Sequence, residues 1–132
     1  MPIDHVSVGV ADANRAKSFY DAALAPLGMA PIYPVEHQGR LLGVGYGEAK
    51  KPSFWIQLPL DGKGASQGNG VHIAFTAPTR AAVDAFHRAA LDHGGADEGA
   101  PGLRPDYHPD YYGAFVRDPD GNKIEAVCHA HE

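Results

Sequence analysis

The sequence predicts an α+β fold in which paired βαβββ modules, about residues 1–62 and 69–132, form a curved mixed sheet with a cup-shaped site in one domain of 132 residues. Three observations predict it. An alternating strand followed by an amphipathic helix opens the chain and recurs 67 residues later. Both helices have a capping residue before them and a glycine stop behind them. A turn-bounded hairpin closes the second copy.

Residues 3–10 alternate as a half-buried strand does, with Ile3, Val6, Val8 and Val10 set against His5, Ser7 and Gly9, and Asp4 out of phase. Asp12 caps a helix through Leu27, whose apolar positions Ala16, Phe19, Tyr20, Ala23, Leu24 and Leu27 keep i, i+3, i+4 spacing. Gly28 stops it, and Pro26 shortens its last turn. Strands follow at about 31–37, 41–48 and 53–60. In the last of them Phe54, Ile56, Leu58 and Leu60 share a core face, while Trp55, Gln57 and Pro59 point away. GVGYG at 43–47 reads as an ordinary glycine-rich strand, because no helix follows it as a nucleotide loop requires. DGKGASQGNG at 61–70 is a flexible connector.

The second module opens on an alternating strand at 70–78, with Val71, Ile73 and Phe75 on one face. Thr79 caps a helix carrying Val83, Phe86, Ala90 and Leu91, and Gly94-Gly95 end it. Sliding the chain by 67 residues superimposes His5 on His72, Phe19 on Phe86 and Gly28 on Gly95. Residues 96–112 are too rich in glycine and proline to predict strands and read as a long loop, a place where function concentrates. Asp118-Pro119-Asp120-Gly121 then makes a type I turn with a bulge at the glycine. It joins strands near 113–117 and 122–128, placing Ile124, Ala126 and Cys128 on the core face and Glu125 on the other.

Composition excludes several classes. A net charge of −5 leaves no basic stripe for a nucleic-acid backbone. No apolar run approaches a membrane span, and no basic leader opens the chain, so a cytoplasmic protein is expected. Cys128 stands alone, which excludes an internal disulfide and fits a reducing compartment.

Parity selects a constellation. His5, Gln57, His72 and Glu125 all fall on the faces of their strands turned from the core. A repeat of 67 relates the two histidines and one of 68 relates Gln57 to Glu125, so a pseudo-two-fold axis would draw all four towards one point. Imidazole and oxygen donors at an open cup suit a six-coordinate divalent ion that keeps positions free for substrate.

The segments DHVSVGVADANRAKSFYDAAL at the start, WIQL at 55–58, GVHIAF at 70–75 and RDPDGNKIEAV at 117–127 resemble the vicinal-oxygen-chelate superfamily over nearly the whole chain. That superfamily includes glyoxalase I, methylmalonyl-CoA epimerase, fosfomycin-modifying thiol transferases, extradiol dioxygenases and bleomycin-binding proteins. The resemblance implies metal ligands at His5, Gln57, His72 and Glu125. Bacterial glyoxalase I usually has Glu where this chain has Gln57, and a His, Gln, His, Glu set is more similar to the epimerase. One divalent ion (Zn, Ni, Co, Mn or Fe) is implied, chelating two neighbouring oxygens of a hemithioacetal or acyl thioester. Glu125 then serves as ligand and proton-transferring base. The implied activity is that of a lyase or isomerase, and pairing as a homodimer is implied too, with the cup formed inside one chain or between two.

Trp55, Arg104, His108 and Tyr111 are the candidate substrate-binding residues: Trp55 shares the face of Gln57, Tyr111 that of Glu125, and Arg104 and His108 lie on the long loop. An arginine there suits a substrate carboxylate or phosphate, and a histidine a proton relay. Two other readings are an extradiol-type dioxygenase using the two histidines and Glu125 on ferrous iron, and a non-catalytic antibiotic-binding protein that keeps only the cup. His129 and His131 read as terminal tail, and His37, His87 and His93 have no constellation around them.

Overall fold

A computed structural model describes residues 2–132. The chain order is β1 (Val6–Gly9), α1 (Ala13–Leu24), β2 (Ala30–His37), β3 (Arg40–Glu48), β4 (Lys51–Gln57), β5 (His72–Thr76), α2 (Arg80–Asp92), β6 (Ala96–Leu103), β7 (Tyr112–Arg117) and β8 (Lys123–Cys128). The strands form two mixed four-stranded sheets of identical topology, β1-β4-β3-β2 and β5-β8-β7-β6, each with one parallel pair at its opening strand. These are the two βαβββ modules of the expected α+β fold.

Both helices begin as the sequence indicates. The Asp12 carboxylate accepts from the N–H groups of Asn14 and Arg15, and the Thr79 hydroxyl from that of Ala82. The first α-helix ends at Leu24 rather than Leu27. A 3-10 turn, Ala25–Leu27, follows, because Pro26 has no N–H to continue the ladder, and Gly28 closes it at φ +82°. Phe19, Tyr20 and Phe86 from the helices pack with Tyr46, Phe54, Ile56, Phe75 and Ile124 into one core that spans both modules.

Three expectations are corrected. Strand β4 stops at Gln57, so Leu58 is only half-buried and Leu60 is 92% exposed rather than on the core face. The opening strand is shorter than expected, and Ile3 and Val71 are exposed. Residues 96–103 form strand β6 where a loop was expected. It is an edge strand with irregular register around Asp97, Gly99 and Gly102, which is how a sheet accommodates glycine and proline.

The turn after β7 has the expected form, with Gly121 at φ +92° and its N–H donating to the Asp118 carbonyl at 2.9 Å. It also ties the modules together. The buried Asp118 carboxylate accepts from the Tyr20 hydroxyl (2.6 Å), and the Asn122 amide donates to the carbonyl of Gly9 (3.0 Å). Asp120 accepts from the N–H of Ala11 (2.9 Å) and from Arg15 (3.1 Å).

The core tyrosines carry a consequence for alkaline stability. Burial, followed by the carboxylates that accept their protons, pushes the hydroxyls of Tyr20 (on Asp118) and Tyr46 (on Asp21, 2.8 Å) well above the ordinary tyrosine value. The folded chain therefore holds protons that the unfolded chain releases above about pH 10. The stability they contribute is complete below that pH and is lost as pH rises past it. Base titration should show these two hydroxyls ionising only as the near-ultraviolet circular dichroism collapses. A full tyrosinate signal from an intact fold would contradict this.

Candidate functional site

The second sheet builds a site on the face turned from its helix. His72 opens β5 opposite Lys123, and Glu125 lies opposite Ala74, so imidazole and carboxylate meet diagonally across the parallel pair, with Nε2 3.1 Å from Oε1. Glu125 is 1% exposed although it points away from the core, because its neighbours roof it over. The Tyr111 hydroxyl donates to its other oxygen, Oε2. Gly113 allows that approach: a Cβ there would lie 3.1 Å from Oε2 and 3.2 Å from the Tyr111 ring. Burial, reinforced by the carboxylate it serves, raises the Tyr111 hydroxyl well above its usual value and keeps it a donor.

The segment 104–111 is pinned at its neck, with the N–H of Arg104 donating to the Tyr111 carbonyl at 2.7 Å. Within it the Asp110 N–H donates to His108 Nδ1 (3.0 Å), which places the His108 proton on Nε2. That proton is given to Nδ1 of His129 at 2.8 Å. The tail histidines are therefore not idle: His129 stacks on His108, and His131 pairs with Asp110 at 2.8 Å. His72, Arg104, His108, Tyr111 and Glu125 line one cavity of about 680 Å³, with Phe115 in its wall. Lys123 lines it as well. Sequence reasoning missed it, although it shares the parity of Glu125.

The first sheet holds the other three candidates. His5, one residue before β1, bonds through Nδ1 to Asp4 at 2.7 Å, and Asp4 also accepts from Lys51 at 2.6 Å. Lys51 first, then His5, holds the Asp4 carboxyl down to about 2. Trp55 lies across Gly45, where a Cβ would come within 2.7 Å of the indole, and Tyr33 meets its edge at 5.9 Å. Gln57 faces Gly43 and Gly9. The glycines of GVGYG thus have packing reasons beyond an ordinary strand.

Strand pairing revises the repeat. Ser7 faces Trp55 as Ala74 faces Glu125, and Gly45 faces Trp55 as Phe115 faces Glu125. The opening strands are related by 67 residues, with His5 in the place of His72, but the closing hairpins by 70 rather than 68. An indole, which offers no metal-binding lone pair, occupies the place of the Glu125 carboxylate, and Gln57 lies one pleat beyond it, roughly 7 Å. Among the described residues, no three His, Cys, Asp or Glu side chains of one chain form a group that could hold an ion. A single chain brings His72 to Glu125 and leaves His5 on Asp4.

Residues 2–126 match the model of the Glyoxalase/Bleomycin resistance protein/Dioxygenase superfamily. The chain belongs to that superfamily. It is 38% identical to a glyoxalase/bleomycin resistance protein from Albidiferax ferrireducens T118, with 98% of this chain and 100% of that one covered at a TM-score of 0.83. Lactoylglutathione lyase from Agrobacterium tumefaciens shares the fold at 20% identity, a TM-score of 0.61 and coverage of 96% and 92%. A mutant glyoxalase I from Zea mays shares it at 22% identity and a TM-score of 0.69, over 97% of this chain and 46% of that one. No curated protein matches the sequence.

In this member of the glyoxalase superfamily the opening strands of both sheets are edges, since β1 pairs only with β4 and β5 only with β8 among the described residues. A cavity of about 740 Å³ runs along the free edge of β5 to the start of β1, lined by Ile3, Val6, Phe54, Ile73 and Phe75. Unpaired strand edges beside apolar side chains are templates for another chain. No helix among the described residues is long and apolar enough to cross a membrane.

Proposed function

We propose that two copies of this chain form a metal-dependent lyase or isomerase of the glyoxalase type, acting on a small substrate with two neighbouring oxygens such as a hemithioacetal or an acyl thioester. The observation that carries this reading is the Tyr111–Glu125–His72 constellation at the floor of a cavity. Superfamily membership supports it, and the open edges of β1 and β5 support the second copy.

The donors suit a divalent ion in kind: an imidazole nitrogen and a carboxylate oxygen 3.1 Å apart at the same cavity. His72 and Glu125 of one copy would hold it with His5 of a second. When bound, the ion supplies positive charge beside the substrate's oxygens, a Lewis-acid contribution. Glu125, oriented by Tyr111 and screened from water, takes a carbon-bound proton and returns it to the neighbouring carbon. Tyr111 keeps the carboxylate aimed, its single hydroxyl proton being committed to Oε2.

Metal content of untagged, chelator-free protein tests the arrangement. His5→Ala and His72→Ala should each bind less than about a tenth of the wild-type metal, since each removes one of few donors. Mixing the two variants should restore about a quarter of the wild-type sites, because half of randomly paired dimers hold one intact site of two. Undiminished metal in both variants rejects the site, and loss without recovery rejects sharing between copies.

A second reading has its own support. With Trp55 in the fourth place, two histidines and one carboxylate remain, the donor set of a non-haem ferrous oxygenase. Oxygen uptake with catechols and inertness towards hemithioacetals would favour it.

A further inference from the structure

The same cavity holds two cations that the site described above does not use. Arg104 and Lys123 both stand over the Phe115 ring, 5.6 Å and 5.3 Å from its centre. Neither has a carboxylate within ion-pairing distance among the described residues. The two carboxylates of the cavity are engaged elsewhere: Glu98 pairs with Arg117 at 3.1 Å, and Glu125 is held by Tyr111 and His72. Arg104 spends one nitrogen on the carbonyl of Ala100 at 2.7 Å, which fixes the guanidinium plane and leaves its other donors free. The cavity thus carries, beside Glu125, two cations against one aromatic ring, neither of them paired with a carboxylate among the described residues.

Resting on the proposed lyase or isomerase reading, we propose that the substrate is an organic oxyanion, a carboxylate or phosphate, whose charged group binds Arg104 and Lys123 over Phe115. Lys123 is the cross-strand neighbour of His72 and lies two residues before Glu125. An anion seated there sets the rest of a short molecule over Phe115, within reach of the reacting carboxylate. Like charges gathered on one ring repel, and an oxyanion between them removes that repulsion while gaining charge-assisted hydrogen bonds from both. A neutral isostere cannot cancel the repulsion and accepts only weaker hydrogen bonds.

Chelator-stripped full-length protein is titrated with benzoate, phenyl phosphate and neutral benzamide, followed by the amide signals of Gly99, Phe115 and Lys123. At least one anion should saturate those signals, with benzamide roughly ten-fold weaker or worse. The two anions decide between carboxylate and phosphate. Arg104→Gln and Lys123→Gln should each weaken the preferred anion by roughly ten-fold, and binding should weaken as salt rises. Equal binding of benzamide, silence towards both anions, or unchanged affinity in both variants overturns the proposal. Because no metal is present in the titration, its failure leaves the metal-sharing test untouched, and failure of that test leaves this one standing.

Discussion

Asp118→Ala should lower the unfolding free energy by about 3 kcal/mol or more, the cost of stripping a buried carboxylate from partners that stay buried. Asp118 is 4% exposed and accepts four hydrogen bonds: the Tyr20 hydroxyl at 2.6 Å, the Asn122 amide at 2.9 Å, and the N–H groups of Asp120 and Asn122, each at 2.9 Å. Alanine leaves the hydroxyl of a fully buried tyrosine without an acceptor and removes one of the two acceptors of the Asn122 amide, whose other is the Gly9 carbonyl. It also releases the turn that holds α1 and the end of β1 to the second module. Against a total stability of about 5–15 kcal/mol this is a large fraction, visible as a melting-point fall of roughly 10 °C. Tyr20→Phe removes only one of the four bonds and should cost about a third as much. Asp118→Ala melting within a degree or two of the wild type would show that the turn is only a local feature.

That clamp illustrates what a sequence does and does not disclose. The DPDG turn is legible from its residue types, since proline and glycine each satisfy one backbone demand. Its partners, Gly9, Ala11, Arg15 and Tyr20, lie about a hundred residues away and carry no periodic signal pointing to it. The repeat was legible for the same reason as the fold, because caps, apolar faces and stops recur in order. Its exact offset was not. Trp55 and Gln57 lie two residues apart on one strand face, so parity accepts either as the counterpart of Glu125, and only inter-strand register decides. Strand β6 escaped because its irregular pairing hides alternation, whereas Lys123 and Phe115 were within reach of the argument that found Glu125.

Glu125→Gln should cut kcat/KM by about a thousand-fold while changing stability by no more than about 1 kcal/mol, a contrast that separates a proton carrier from a structural carboxylate. The amide keeps the shape of the acid and can still accept from Tyr111, so the roof over it need not move. It loses a buried charge whose desolvation the fold had to offset, which makes the folded state no less stable. It also loses the capacity to take a proton, and with it every step that depends on carbon–hydrogen cleavage. Turnover of hemithioacetals and acyl thioesters, read with incorporation of solvent deuterium at the reacting carbon, measures the loss of proton transfer, and denaturant unfolding measures the change in stability. Tyr111→Phe leaves the base in place but frees its aim, so it should cost roughly ten-fold in kcat with little change in KM. If Glu125→Gln retains turnover within ten-fold of the wild type, the proton is carried elsewhere, and the buried carboxylate is only a fastening between His72 and Tyr111.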